Sequence, residues 1–219
     1  MTLSEENYLK AIYHIGNHKE GGVSTNAIAE KMDTKASSVT DMIKKLSEKG
    51  LLNYKRYKGT ALTKEGKLVA SNIVRKHRLW EVFLVEKLNF TWDEVHDVAE
   101  QLEHIKSEKL TDQLDAFLGF PTRDPHGDPI PDKEGNIKTI ADTSLLAALQ
   151  KGDDGIIVGV KDSSSSFLKY LDKQEIALGK KIKIIDKEPF DNSMTIKIKE
   201  QEIVISNQIA SNIYIKKSS

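Results

Sequence analysis

A chain of 219 residues, 38% hydrophobic and 30% charged, has the composition of a soluble globular protein and the length for two or three small domains. No apolar run approaches the roughly 18 residues that span a bilayer. MTLSEENYLK lacks the basic-then-apolar pattern of a secretory leader. The absence of cysteine excludes disulfides and thiolate metal sites, and these features together predict a cytoplasmic protein.

The net charge of zero hides a separation. Residues 44 to 67 hold eight Lys or Arg against two acids, whereas residues 81 to 136 hold fourteen acids against five bases. The first stretch has the charge that seeks phosphate and the second the charge that seeks cations, which predicts two functions in one chain.

EENYLKAIYHIG, residues 5 to 16, predicts a helix with the apolar stripe Tyr8, Leu9, Ile12, Tyr13, Ile15 and Gly16 as its stop. Ser24 and Thr25 cap a short helix, TNAIAEKM. DTKAS is a turn with another N-cap, and SSVTDMIKKLSEKG is a helix closed by Gly50. LLNYKRYKGTALT reads as two short strands around Lys58-Gly59. Helices followed by a basic hairpin are the order of a winged helix-turn-helix, with Ser37 to Lys49 as its recognition helix. Ser37, Ser38, Thr40 and Asp41 would face base edges, Asp41 by accepting from a cytosine amino group. Lys35, Lys44, Lys45, Lys55, Arg56 and Lys58 would meet the phosphates. The competing reading is a helical bundle with a basic surface. The hairpin's YKRYKG and the local charge excess favour DNA.

EGKLVASNIVRKHRLWEVFLVEKL is a long helix with little to break it. After NFTWDE, residues 96 to 104 read HDVAEQLEH. Val95, Val98, Ala99, Leu102 and Ile105 mark an apolar arc at about 100° per residue, and His96, Glu100, Glu103 and His104 share a second arc beside it. Two His and two Glu on one stripe without Lys or Arg are costly neighbours. A divalent cation would remove the cost, but a solvated polar face explains the pattern equally well, and both readings stay open here.

SEKLTDQLDAFLG is a further helix, ended by Gly119. Residues 120 to 138 hold four of the five prolines and form an irregular connection. From about residue 150, GIIVGV, KKIKII, MTIKIK and EIVIS alternate as strands do. With the helix SSFLKYLDKQ, capped by a serine run, they predict a small β-barrel of about 70 residues.

Five blocks in this order carry a resemblance: EENYLKAIY, SSVTDMIKKLSEKGLL, RKHRLWEVFL, HDVAEQLEH and PHGDPIP. From residue 4 to about 135 the chain resembles the DtxR/MntR family of metal-dependent transcriptional repressors. The β-region resembles the SH3-like, FeoA-type domain of many members. The resemblance implies a mainly α fold with a C-terminal small β-barrel. It implies a winged helix-turn-helix over residues 1–70, a helical dimerisation and metal-binding domain over 71–140, and an SH3-like domain over 150–217. It implies a homodimer whose interface lies mainly in the middle helices.

The primary metal site it implies is Asn7, Glu100, Glu103 and His104. Asn7 stands where known members carry Asp or Met. Its amide oxygen can ligate but brings no charge, and Glu5 or Glu6 would contribute instead. Lys10 stands where manganese-type members carry a Glu of a binuclear site, which argues against two ions here. The second implied site is His77 and Glu81, joined by His96, with Asp124, His126 and Asp162 as further ligands. Against it, His77 also reads as a surface histidine of a basic run and His126 as a loop residue.

Carboxylates, an amide oxygen and one imidazole form a hard donor set that suits Mn²⁺ first and Fe²⁺ second. Zn²⁺ and Co²⁺ bind such sites in vitro by raw affinity. The expected partners are a second copy of the chain and a palindromic double-stranded operator. The expected output is metal-activated repression of uptake genes. A metallohydrolase is the rival from another class, but H-E-x-x-H and H-x-x-E-H are both absent. A metal-binding adaptor without DNA binding leaves the basic hairpin unexplained.

Overall fold

Thr2 opens the first helix with a reciprocal cap. Its N–H donates to Glu5 Oε2 (3.0 Å), and the Glu5 N–H donates back to Thr2 Oγ1 (3.3 Å). Helix α1 (Leu3–Gly16) follows, then α2 (Thr25–Lys31), where Ser24 accepts from the Ala27 N–H. α3 (Ala36–Glu48) departs from expectation at its start. Lys35 occupies the N-cap position and makes no side-chain cap bond. At its far end Gly50 takes φ +72°, as expected of a helix stop. β1 (Leu52–Lys55) and β2 (Gly59–Leu62) pair antiparallel, from Leu52 opposite Leu62 to Lys55 opposite Gly59. Gly59 has φ +81°, and a Cβ there would lie 2.8 Å from backbone atoms of Gly22 and Val23, so the position demands glycine. α4 (Lys64–Leu88), α5 (Val95–Leu102) and α6 (Glu108–Phe117) complete the helical part.

This computed structural model describes residues 1–16, 22–55, 59–137, 143–162 and 164–218. The chain divides into two units that do not follow chain order. One holds Met1–His77, Glu100–Gln113 and Ile130–Ile137; the other holds Arg78–Ala99, Leu114–Pro129 and Lys138–Ser219.

The first unit is built on a core of Tyr8, Leu9 and Ile12 from α1, Ile28 from α2, and Val39, Ile43 and Leu46 from α3. The three-and-four spacing of these residues turns one face of each short helix inward. That leaves Ser37, Ser38, Asp41 and Lys44 of α3 exposed.

The second unit contains the β-domain. Its strands are β3 (Thr143–Leu145), β4 (Asp154–Val160), β5 (Lys181–Lys187), β6 (Met194–Ile198), β7 (Gln201–Ile205) and β8 (Ile213–Lys217). They form one antiparallel sheet in the order β3-β8-β4-β5-β6-β7. Among the described residues the sheet stays open, with β3 and β7 at its edges, where the sequence pattern predicts a closed barrel. α7 (Ser165–Lys173) and the short α8 (Asn207–Ala210) cover it, with Phe167, Leu168 and Leu171 of α7 in its core. Ser164 takes the N-cap position of α7 without a side-chain cap bond, against the capping role expected of the serine run. Ser163 lies outside the described residues. Trp92, from the segment before α5, packs on the same core.

Candidate metal centres and DNA-facing surface

Within the first unit, α1 meets the end of α5 through charge. Lys10 Nζ bonds to Glu100 and lies 2.8 Å from the Glu103 carboxylate. His77 Nδ1 lies 2.7 Å from Glu103 Oε2 and 3.9 Å from Glu100 Oε1. His104 Nδ1 lies 2.6 Å from Glu6 Oε2. Glu103 is fully buried at 0% exposure, and Glu6 is buried too. Asn7 Oδ1 is buried here without a hydrogen bond among the described residues, whereas Glu103 Oε1 has the Lys10 ammonium 2.8 Å away. A buried acceptor without a donor is costly, and a hard divalent cation satisfies such oxygens. The donor set therefore fits the ion. Burial also acts on neighbouring Lys76, lowering its pKa against the opposing pull of Glu6 and Glu103.

This geometry corrects the sequence reading of HDVAEQLEH in two ways. α5 ends at Leu102, so Glu103 and His104 sit in the turn beyond it. The Ile105 N–H closes that turn on Leu102 O at 3.1 Å. The repulsion between Glu100 and Glu103 is not left unrelieved, because Lys10 reaches them from 90 residues away in sequence. His96, which the resemblance joins to Glu81, has its Nδ1 3.6 Å from Glu81 in the second unit. His77 also has Glu100 and Glu103 within ligand reach of it. Nothing in the spacing of His77 signals that grouping, which tertiary packing creates.

The two proposed substitutes for Asn7 part company. Glu6 faces His104. Glu5 turns to α3, where its Oε1 lies 2.9 Å from Lys45 Nζ and 2.8 Å from Lys49 Nζ. The Lys49 and Lys45 ammonium groups and the Thr2 N–H hold the Glu5 carboxyl far below its ordinary range, at about 2, against burial.

The second unit gathers Glu81, Asp124 and His126, all buried and all within ligand reach of one another. His126 Nδ1 lies 3.7 Å from Glu81 Oε2. Its Nε2 lies 3.1 Å from the Trp92 carbonyl. A carbonyl only accepts, so Nε2 carries a proton, and in the imidazolium Nδ1 carries a second one towards the Glu81 carboxylate. Asp124 Oδ1 accepts from the N–H groups of His126 (2.8 Å) and Asp128 (2.9 Å), and Oδ2 lies 3.4 Å from Arg78 Nε.

Burial and the charges of Glu81 and Asp128 push Asp124 up to about 7, against Arg78 and His126. Burial would lower His126, but its bond to Glu81 and the charges of Glu81 and Asp124 outweigh it and raise the imidazole to about 9. Two carboxylates and an imidazole in so small a volume also suit a hard cation. Gly127 pins this loop to the β-domain. With φ +88°, its Cβ would fall 2.2 Å from Gly159 Cα, and the Val160 N–H donates to His126 O at 2.8 Å. Asp162 is not in the cluster; its Oδ1 accepts from the Ser164 N–H at 2.8 Å.

On the DNA-facing candidates, Thr40 is half-buried and bonds Ala36 O (2.9 Å), and Lys44 lies 3.7 Å from Asp41. Lys35 is exposed and Lys45 is held by Glu5. Arg56 and Lys58 lie outside the described residues.

Three family models match the chain. "Iron dependent repressor, N-terminal DNA binding domain" covers residues 1–60, "Iron dependent repressor, metal binding and dimerisation domain" covers 63–132, and "FeoA domain" covers 145–217. The iron-dependent repressor IdeR of Mycobacterium tuberculosis is 36% identical over 127 residues, 58% of this chain. That stretch is 54% of IdeR, so the match spans about half of that protein's length. The HTH-type transcriptional regulator MntR of Oceanobacillus iheyensis is 34% identical over 119 residues, covering 54% of this chain and 80% of that protein. A solved structure described as a manganese-dependent transcriptional repressor in complex with manganese is 34% identical, with a TM-score of 0.81, over 98% of this chain and all of that one.

Proposed function

Because the chain belongs to the family of iron- and manganese-dependent transcriptional repressors, we propose that it is a metal-activated, DNA-binding repressor acting as a homodimer. One observation carries this reading. Helix α1 presents Glu6 to the acid–imidazole cluster and Glu5 to α3, so one rigid element serves both a cation site and a recognition helix.

In the first site, Asn7, Glu100, Glu103 and His104 hold the ion, with Glu6 and His77 adjoining. In the second, Glu81, Asp124 and His126 hold it; His96 adjoins Glu81, and Asp162 is a ligand only if its loop turns inward. The ion, Mn²⁺ first and Fe²⁺ second, supplies the positive charge that offsets these buried acids. The protein does the rest. Asn7 and Glu6 tie α1 to the turn after α5, and that tie narrows the range of positions open to α3. Ser37, Ser38, Thr40 and Asp41 then read base edges while Lys35, Lys44, Lys45, Arg56 and Lys58 contact phosphates.

DNA binding falls to residues 1–70, dimerisation and metal binding to 71–140, and the FeoA-type domain to 150–217. The dimer covers Phe117, 65% exposed and packed on Phe83, and Phe120, 67% exposed. These residues lie in the stretch that matches the dimerisation model. Two recognition helices related by a twofold axis read a palindrome. The site of action is the cytoplasm and the output is repression of metal-uptake genes.

Selection of bound duplexes from a random pool, with Mn²⁺ and again with chelator, tests the whole reading. A palindrome recovered with Mn²⁺ alone is expected. Equal recovery in both conditions would remove metal as the switch, and no enrichment in either would remove DNA as the target.

A further inference from the structure

We propose that Glu5 is a positioning residue that transmits metal occupancy to the recognition helix, through a buried clasp on Lys45 and Lys49. The inference rests on the metal-activated reading above and names the contact by which α1 moves α3.

Glu5 is fully buried and its carboxylate is completely engaged. Oε1 takes Lys45 Nζ (2.9 Å) and Lys49 Nζ (2.8 Å); Oε2 takes Lys49 Nζ (2.9 Å) and the Thr2 N–H (3.0 Å). Lys45 and Lys49 stand one turn apart at the end of α3, so two lysines grip one carboxylate. Leu9, Ile12, Ile43 and Leu46 share the apolar core that holds the same helices together, but apolar packing is non-directional and tolerates a slide or a roll. Three ammonium–carboxylate bonds do not, because their strength depends on direction and distance.

The next two residues of α1 are Glu6, bonded to His104, and Asn7, whose buried oxygen accepts no hydrogen bond among the described residues. Residues on one helix move as a body, with a rise of about 1.5 Å per residue. A shift that brings Glu6 and Asn7 onto a cation therefore carries Glu5 with it, and Glu5 carries the end of α3. The opposite end of α3 bears Ser37 and Ser38. A small displacement at the clasp becomes a change in the angle at which those residues meet a groove.

The test uses the full chain and the duplex recovered from the selection. Its readout is the ratio of DNA affinity with saturating Mn²⁺ to that with chelator. Mn²⁺ binding per chain is measured separately by paramagnetic resonance, without DNA. In E5Q, Mn²⁺ binding is expected to stay within about twofold of wild type while the affinity ratio falls at least about fivefold, the low end of allosteric couplings. K49Q should lower the ratio likewise. The double variant E5Q/K49Q should lower it no further than the larger single effect, because both changes open the same clasp. Lys49 is 42% exposed, so K49Q carries the test if E5Q fails to fold.

A wild-type ratio well above one that E5Q and K49Q retain overturns the proposal. So does a loss of Mn²⁺ binding in E5Q that accounts for the fall in the ratio, since Glu5 would then belong to the metal site. A wild-type ratio of one is a different failure, read without any variant. It overturns the metal-activated reading and this proposal with it.

Discussion

Asn7 brings a neutral donor to a place where charge would bind a cation more tightly, and its oxygen is already buried without a hydrogen bond among the described residues. Asn7→Asp keeps the shape and adds the charge. It should tighten Mn²⁺ binding about tenfold, or ~1.4 kcal/mol, in a direct titration of the metal-free protein. An unchanged affinity would mean that the residue is not a ligand. Asp93 makes a prediction of a different kind. Its carboxylate takes the Thr91 hydroxyl at 2.9 Å and Lys169 of α7 at 3.2 Å. Those partners, Thr91 first, lower its pKa below the ordinary 3.8 against burial. A lowered carboxylate contributes stability that is complete above its ordinary value and is lost as pH falls through the lowered one. Asp93→Asn should thus cost roughly 0.5–1 kcal/mol at neutral pH. That difference should vanish in denaturation curves taken well below pH 3.8. A difference that persists in acid would assign the effect to packing rather than charge.

The elements were legible where local rules suffice. The stripe of α1, the cap at Ser24, the stop at Gly50 and the β1–β2 hairpin follow from spacing and turn chemistry alone. The sites were legible as residue types and much less as partnerships. The spacing along α1 gives Lys10 no partner. Lys10 becomes the counter-ion of Glu100 and Glu103 only because packing sets α1 against the turn after α5. Asp124 and His126 lie in a proline-rich segment without periodicity, so spacing alone does not aim them at Glu81 and only the family resemblance does. Trp92 illustrates the same limit. It falls between predicted helices, yet it packs on the β-domain core, and its carbonyl orients His126. Trp92→Ala should therefore weaken the β-domain by roughly 2 kcal/mol, below the usual cost of a fully buried Trp because this one is half-buried. It should also expose residues near 91–94 to proteolysis. Stability and cleavage equal to wild type would detach Trp92 from that core.

For the whole molecule, the neutral total charge means that attraction to DNA depends on where the basic surface is presented rather than on net charge. A dimer presents that surface twice, and each phosphate contact adds to the steepness with which affinity falls as salt rises. Phe117→Asp places a carboxylate at an exposed apolar position beside Phe83, where the Lys87 ammonium lies 5.8 Å from the Phe117 ring centre and a second copy would have to desolvate the pair. The variant should sediment as a monomer while keeping its helical content, because Phe117 is 65% exposed within the chain. On a palindrome with Mn²⁺ present it should bind as single copies, each engaging one half-site. Its logarithmic salt slope should then drop to about half the wild-type value, with half the phosphates engaged per binding event. If Phe117→Asp remains a dimer, the interface lies elsewhere on the helical segment. If it becomes a monomer but keeps the full slope, one chain makes all the phosphate contacts, and the twofold reading of the operator fails.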